Sequence, residues 1–195
     1  MRGIDKQFDA VRGMPVPIPS GERYRVGIEE VAAGGYLRVG GELYRVEQAS
    51  LYREKDGNWT ELELFGLNTA ETRYIEWERD DEVEVAWNGP PISMARLGVT
   101  AAEVEAMADR ERGSISYGGK TYEYDDDYSA TFHRGGKGDG EKVYFYDFET
   151  SDERFCLSIE EWGSESSGYD YEAYASQYIE PETVEVLVVG DPEPN

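Results

Sequence analysis

The chain carries the same local pattern twice. Tyr36-Leu37-Arg38-Val39-Gly40-Gly41-Glu42-Leu43-Tyr44-Arg45-Val46-Glu47 aligns with Ser114-Ile115-Ser116-Tyr117-Gly118-Gly119-Lys120-Thr121-Tyr122-Glu123-Tyr124-Asp125 at an offset of 78 positions. Each copy reads as strand, Gly-Gly turn, strand. Paired glycines supply the positive φ angles that a two-residue hairpin demands, and alternating apolar residues give each strand one buried face. The match continues with Leu51-Tyr52-Arg53 against Thr131-Phe132-His133, Trp59 to Leu64 against Val143 to Phe148, and Arg73-Tyr74-Ile75 against Arg154-Phe155-Cys156. Each copy then ends in an acidic, aromatic strand, Glu82 to Trp87 in the first and Tyr169 to Tyr174 in the second. Turn signals at Asp56-Gly57-Asn58, Gly135-Gly136 and Gly138-Asp139-Gly140 keep the strands short. The expected fold is mainly β: two tandem antiparallel meanders of four or five strands, small-barrel or sandwich-like, each preceded by a short helical element.

The helical elements are legible at their ends. Thr100-Ala101-Ala102-Glu103 is a capping box, Val104, Met107 and Ala108 share one face, and Gly113 ends the run. A weaker counterpart, Gly27 to Gly34, precedes the first hairpin. Val184, Val186 and Val188 alternate in a last strand. Proline alternates with apolar residues from Met14 to Gly21, which excludes a helix or an interior strand there, so residues 1 to 24 read as an irregular arm strapped down by Val16 and Ile18. This organisation places the arm and helical turn in 1–34, the first meander in 35–98, the capped helix and second meander in 99–190, and a frayed tail in 191–195.

Charge narrows the partners. With 42 acidic and 19 basic residues the net charge is −23, and no basic stripe interrupts it. Nucleic acid and an anionic membrane surface are both excluded as direct partners on this ground. Only five of the basic residues are lysine, a surface that suits high salt and leaves a halophilic source open. Hydrophobic residues make up 39% of the chain, enough for a real core. The lone cysteine, Cys156, cannot form an internal disulfide, and no basic and apolar leader opens the sequence, so a cytoplasmic protein is expected. Acidic strands discourage edge pairing, which points to a monomer.

Catalytic signatures are thin. His133 is the single histidine, so no histidine relay or His-rich metal site can be built around it. Cys156 lies between Phe155 and Leu157 and reads as a small buried hydrophobe. Among so many acids any carboxylate pair can be nominated, and Glu61 with Glu63, or Glu160 with Glu161, are expected on solvated faces. Asp125, Asp126, Asp127 and Asp139 form an alternative calcium-ligand set that matches no complete EF-hand loop. No phosphate-cradling glycine motif stands between a strand and a helix, and no cofactor is called for. Aromatic density remains. Tyr144 and Tyr146 lie on the strand face opposite Phe145, and with Trp59 and Trp162 they are the expected anchors of a face that binds a basic or amphipathic protein partner. A concave pocket with pKa-perturbed carboxylates would mark a hydrolase instead, and a flat acidic face the interaction protein.

The segments Gly40 to Val46, Trp59-Thr60-Glu61-Leu62-Glu63-Leu64 and Arg73-Tyr74-Ile75-Glu76-Trp77-Glu78 resemble the motifs of the uncharacterised family catalogued as domain of unknown function 4178, over residues 35 to 188. The second half departs from that pattern, with Val143-Tyr144-Phe145-Tyr146 in place of the Trp-x-Glu segment. Members are often encoded beside homologues of phage shock protein A and other membrane-stress genes. The resemblance therefore implies an accessory or adaptor role, with no catalytic residues to carry over.

Overall fold

The computed structural model describes residues 3–55, 57–164 and 166–191. The chain opens with helix α1 (Gly3–Arg12), so the expected irregular arm is corrected over this stretch. Prolines begin only at Pro15, and the preceding residues are free to repeat at helical spacing. Ala10 is buried, the Tyr36 hydroxyl donates to the Ala10 carbonyl at 2.5 Å, and Gln7 Nε2 donates to the Leu67 carbonyl at 2.8 Å. Ile4, Phe8 and Val11 occupy the opposite, exposed face. Ile18 does fasten the proline segment, its N–H donating to the Leu187 carbonyl at 2.7 Å, but Val16 is 94% exposed and straps nothing.

Two five-stranded meanders follow. The first comprises β1 (Tyr36–Val39), β2 (Glu42–Arg53), β3 (Asn58–Gly66), β4 (Thr72–Arg79) and β5 (Val83–Asn88). Two short helices, α2 (Met94–Leu97) and α3 (Ala101–Ala108), lead into the second: β6 (Ser114–Tyr117), β7 (Lys120–His133), β8 (Glu141–Glu149), β9 (Phe155–Ser164) and β10 (Gly168–Tyr178). Strand β11 (Val184–Val188) then pairs with β1. A 3₁₀ turn at Ile28–Glu30 precedes the first hairpin, and the Thr100 capping box opens α3 as expected. The hairpin glycines adopt φ of 58° and 86° at Gly40 and Gly41, and 58° and 78° at Gly118 and Gly119. A Cβ there is strained, which is why glycine fills both turns.

All eleven strands among the described residues belong to one antiparallel sheet, and eight of them close a ring. Equivalent strands of the two meanders meet at two seams. At one, β2 pairs with β7 through Leu51↔His133, Tyr52↔Phe132 and Arg53↔Thr131. At the other, β5 pairs with β10 through Asn88↔Ser176, Trp87↔Gln177 and Ala86↔Tyr178. The first seam centres on Tyr52 and Phe132, the two positions equated by the sequence alignment.

Most apolar side chains of this ring point outward, the exception being an inner cluster of Tyr52, Ala130, Phe132, Val143 and Phe145. Leu62, Leu64, Ile75 and Val85 are covered by Ile28, Val31, β1 and β11, while Phe148, Leu157 and Ile159 are covered by Val104, Met107 and Ile115. Fully burying each such side chain stabilises the fold by about 1.5–3 kcal/mol, so each meander holds its own core on the outside of the ring. The alternate residues of the same strands consequently face inward, towards each other.

Candidate functional site

Inward register brings together acids that stand far apart in sequence. Glu61 on β3 lies directly opposite Glu76 on β4, which lies opposite Ala86 on β5. Across the ring, Glu160 on β9 faces Phe145 on β8, and the next inward pair is Asp147 with Ser158. These strands are fixed by their outward leucines and isoleucines, so their carboxylates have no choice of face. Glu76, Asp147 and Glu160 line a cavity of about 300 Å³ together with Trp59, Tyr128, Asn88 and Tyr174, and Glu61 stands beside it through its pairing with Glu76. No basic side chain lines it among the described residues.

Little among the described residues offsets this charge: Arg134 lowers the Glu61 pKa, but burial, Glu76 and Glu63 outweigh it. Burial raises the pKa of each acid: Glu61 to about 8, Glu76 to about 7, Asp147 to about 6, and Glu160 well above the usual carboxylate range. After burial, Glu76 and Glu61 push Glu160 up further, and Glu76 pushes up Glu61. Hydrogen bonds oppose the shift only partly. Asn88 Nδ2 donates to Glu76 Oε1 at 2.5 Å, Trp162 Nε1 to Glu160 Oε2 at 2.9 Å, and the Tyr128 hydroxyl to Asp147 Oδ2 at 3.0 Å. Ser158, opposite Asp147 on β9, also lowers its pKa, while the other oxygen, Oδ1, is buried and makes no hydrogen bond of normal geometry. An orphaned carboxylate oxygen beside a cavity is costly, and a ligand donor removes the cost. Glu76 and Asp147 keep some accessible area despite their depth, and both line the cavity, so that area faces it rather than bulk water.

One end of the lumen is closed by rings. Tyr52 stacks on Trp59 with centroids 4.8 Å apart, Tyr128 stacks on Phe145 at 5.2 Å, and Phe132 meets Trp162 edge to face at 5.5 Å. Arg134 lies over Phe132 at 5.7 Å, outside this plug. Towards the β5–β10 seam, Glu84, Val85 and Tyr178 line both the cavity and an outer hollow bounded by Glu149, Glu153, Arg154 and Glu180. That hollow is the mouth.

The four aromatic anchors expected from sequence do not share a surface. Trp59 and Trp162 face the lumen, whereas Tyr144 and Tyr146 lie on the opposite side of the sheet. Tyr144 and Tyr124 donate to Asp127, and the Tyr146 and Tyr171 hydroxyls donate to Glu161 Oε2 at 3.1 and 2.9 Å. Asp126 lines the cavity while Asp127 is engaged by those tyrosines on the outer face, and Asp125 sits in the bulge between Tyr124 and Asp126. Asp139 lies in the turn before β8. Among the described residues no three His, Cys, Asp or Glu side chains converge to hold a metal ion. His133 ends β7, its Nδ1 3.1 Å from the Gly138 carbonyl. Cys156 is buried, and its thiol pKa is raised by desolvation and then by Asp147 and Glu149.

Glu61 and Glu160 correct the expectation of solvated faces, because the polar side of these strands looks into a closed ring. A signal was present: Glu61, Glu63, Glu76 and Glu160 alternate strictly with buried Leu62, Leu64, Ile75 and Ile159.

A closed antiparallel ring with its cores outside and a charged cavity within defines a mainly β, cavity-bearing protein. The chain belongs to the family described as domain of unknown function (DUF4178), whose model matches residues 32–181. No curated protein and no solved structure matches it. No helix among the described residues is long and apolar enough to cross a membrane.

Proposed function

We propose that this is a non-catalytic accessory protein that binds a cationic ligand inside the ring. The observation that supports this reading is the lumen itself: Glu76, Asp147 and Glu160 line one cavity, Glu61 is paired with Glu76 beside it, and no basic side chain among the described residues lines it. Burying like charges destabilises the empty protein, so a cation that replaces the missing counter-charge is held strongly. The basic protein partner expected from sequence reaches these acids through the mouth at Glu84 and Tyr178, by presenting an ammonium-bearing side chain. A cytoplasmic setting, where Cys156 stays reduced, fits this role.

The concave, pKa-perturbed cluster also favours a second reading, a hydrolase with Glu76 as general acid. It ranks below binding for a physical reason. Acid–base pairs work when their surroundings push two pKa values apart, one group staying ionised beside a protonated one. Here burial pushes all four acids in the same direction.

Thermal melting at pH 8 tests the binding reading. Ethylammonium chloride at tens of millimolar is expected to raise Tm above a sodium chloride control of equal ionic strength, since a ligand of the folded state stabilises it by mass action. Glu160→Gln should shrink the difference. Equal melting in both salts, or an unchanged difference in the variant, would overturn the reading.

A further inference from the structure

The shape and donor chemistry of the lumen say more about the ligand, on the premise that the lumen binds a cation. Its carboxylates form a row rather than a point. Glu61 pairs directly with Glu76 across β3 and β4, both raise the pKa of Glu160, and Asp147 stands one inward position beyond the Phe145–Glu160 pair. Successive inward positions on a strand are about 6.7 Å apart, so Phe145, paired with Glu160, and Asp147 mark two levels with that spacing along the ring axis. The row continues to Glu149 and Glu84 at the mouth.

Acceptors dominate the walls between these levels. Carboxylate oxygens, Asn88, Ser158 and Ser176 face the cavity, the Asp147 Oδ1 acceptor makes no hydrogen bond of normal geometry, and against these acceptors stands one unpartnered donor, Trp77 Nε1. The aromatic faces are spent on one another, in the Tyr52–Trp59 and Tyr128–Phe145 stacks, so they offer no open cage to a methylated ammonium. A primary ammonium, with three N–H donors, matches such walls. A metal ion does not, because no three candidate ligands converge among the described residues.

We propose that the ligand is a linear aliphatic diamine, or a longer polyamine, bound in its ammonium form along the ring axis. One ammonium sits between Glu76 and Glu160, and the next reaches Asp147 Oδ1, with the alkyl chain against Trp59 and Phe145. A four-carbon spacer in extended form spans one level to the next.

Isothermal titration of the full chain at pH 8 tests this with three probes: 1,4-diaminobutane, butylamine and tetramethylammonium. The diamine is expected to bind at least tenfold tighter than butylamine, with tetramethylammonium weakest. Asp147→Asn, which keeps the shape and the Tyr128 contact, is expected to reduce the diamine to the butylamine level while leaving butylamine unchanged. Circular dichroism confirms that the variant is folded. Equal affinity for diamine and butylamine, tightest binding of tetramethylammonium, or a diamine advantage that survives in Asp147→Asn overturns the proposal yet leaves cation binding in place. Failure of all three probes to bind removes both readings.

Discussion

Replacing Asp147 with asparagine should stabilise the empty protein at neutral pH, although it deletes a charge from an already folded structure. Burial raises the Asp147 carboxyl from 3.8 to about 6, with Asp125 and Asp126 adding to the shift. Below pH 3.8 the group is neutral in both folded and unfolded chains and costs nothing. As pH rises, the unfolded chain ionises first, so stability falls until the folded group also ionises near pH 6, and then stays level. Each pKa unit corresponds to about 1.4 kcal/mol, so the cost at pH 8 is about 3 kcal/mol, and roughly half that at pH 5. Asparagine escapes it at every pH. Urea unfolding followed by tryptophan fluorescence at pH 5 and pH 8 measures this directly, and by heat the gain at pH 8 amounts to about 6–12 °C for a chain of this length. The measurement should be repeated at 1 M salt, because screening weakens repulsion among exposed acids and leaves a buried desolvation cost largely intact. A variant less stable than the parent at pH 8, or a gain identical at both pH values, would refute the reasoning.

Other expectations follow from single contacts. Phe145→Ala removes a ring that touches Tyr52, Trp59 and Tyr128, and should cost about 3–5 kcal/mol by denaturant melt. Tyr36→Phe leaves the Ala10 carbonyl without its donor, a loss of about 1–3 kcal/mol that should appear as faster proteolysis between Met14 and Gly21 as α1 loosens. Thr100→Ala breaks the capping box with Glu103 and should cost about 1 kcal/mol. Cys156 should resist thiol reagents at pH 8 in the folded protein and react promptly in urea, since burial both shields the thiol and raises its pKa.

How much of this was legible in the residues differs between backbone and site. The Gly-Gly hairpins, the Thr100 box and the valine alternation of β11 are local signals, and each appears where local chemistry puts it. Helix α1 was hidden behind the prolines that follow it, which describe residues 15 to 19 and not the ten before them. The lumen was hidden for a different reason. Alternation along β3, β4 and β9 shows that carboxylates share a face, but only closure of the ring through Tyr52–Phe132 and Trp87–Gln177 decides that this face is interior. Trp59 and Trp162 were singled out as aromatic anchors, and they do stand together, at the lumen wall and not on an outer surface.

The two seams have a further meaning. Each is three residue pairs long and joins equivalent strands, whereas β3–β4 and β8–β9 pair over seven each. The molecule is thus hinged like a locket, two halves clasped on both sides with the contents held between them, and β11 reaches back from the far end of the chain to complete the first half's core. Whatever occupies the lumen touches both halves at once and adds to the plug of Tyr52, Trp59, Phe132 and Phe145 that already bridges them. A chain cut between β5 and α2 should then stay whole even when empty, held by the seams, the aromatic plug and the β1–β11 pairing, and melt at a higher temperature with its occupant in place.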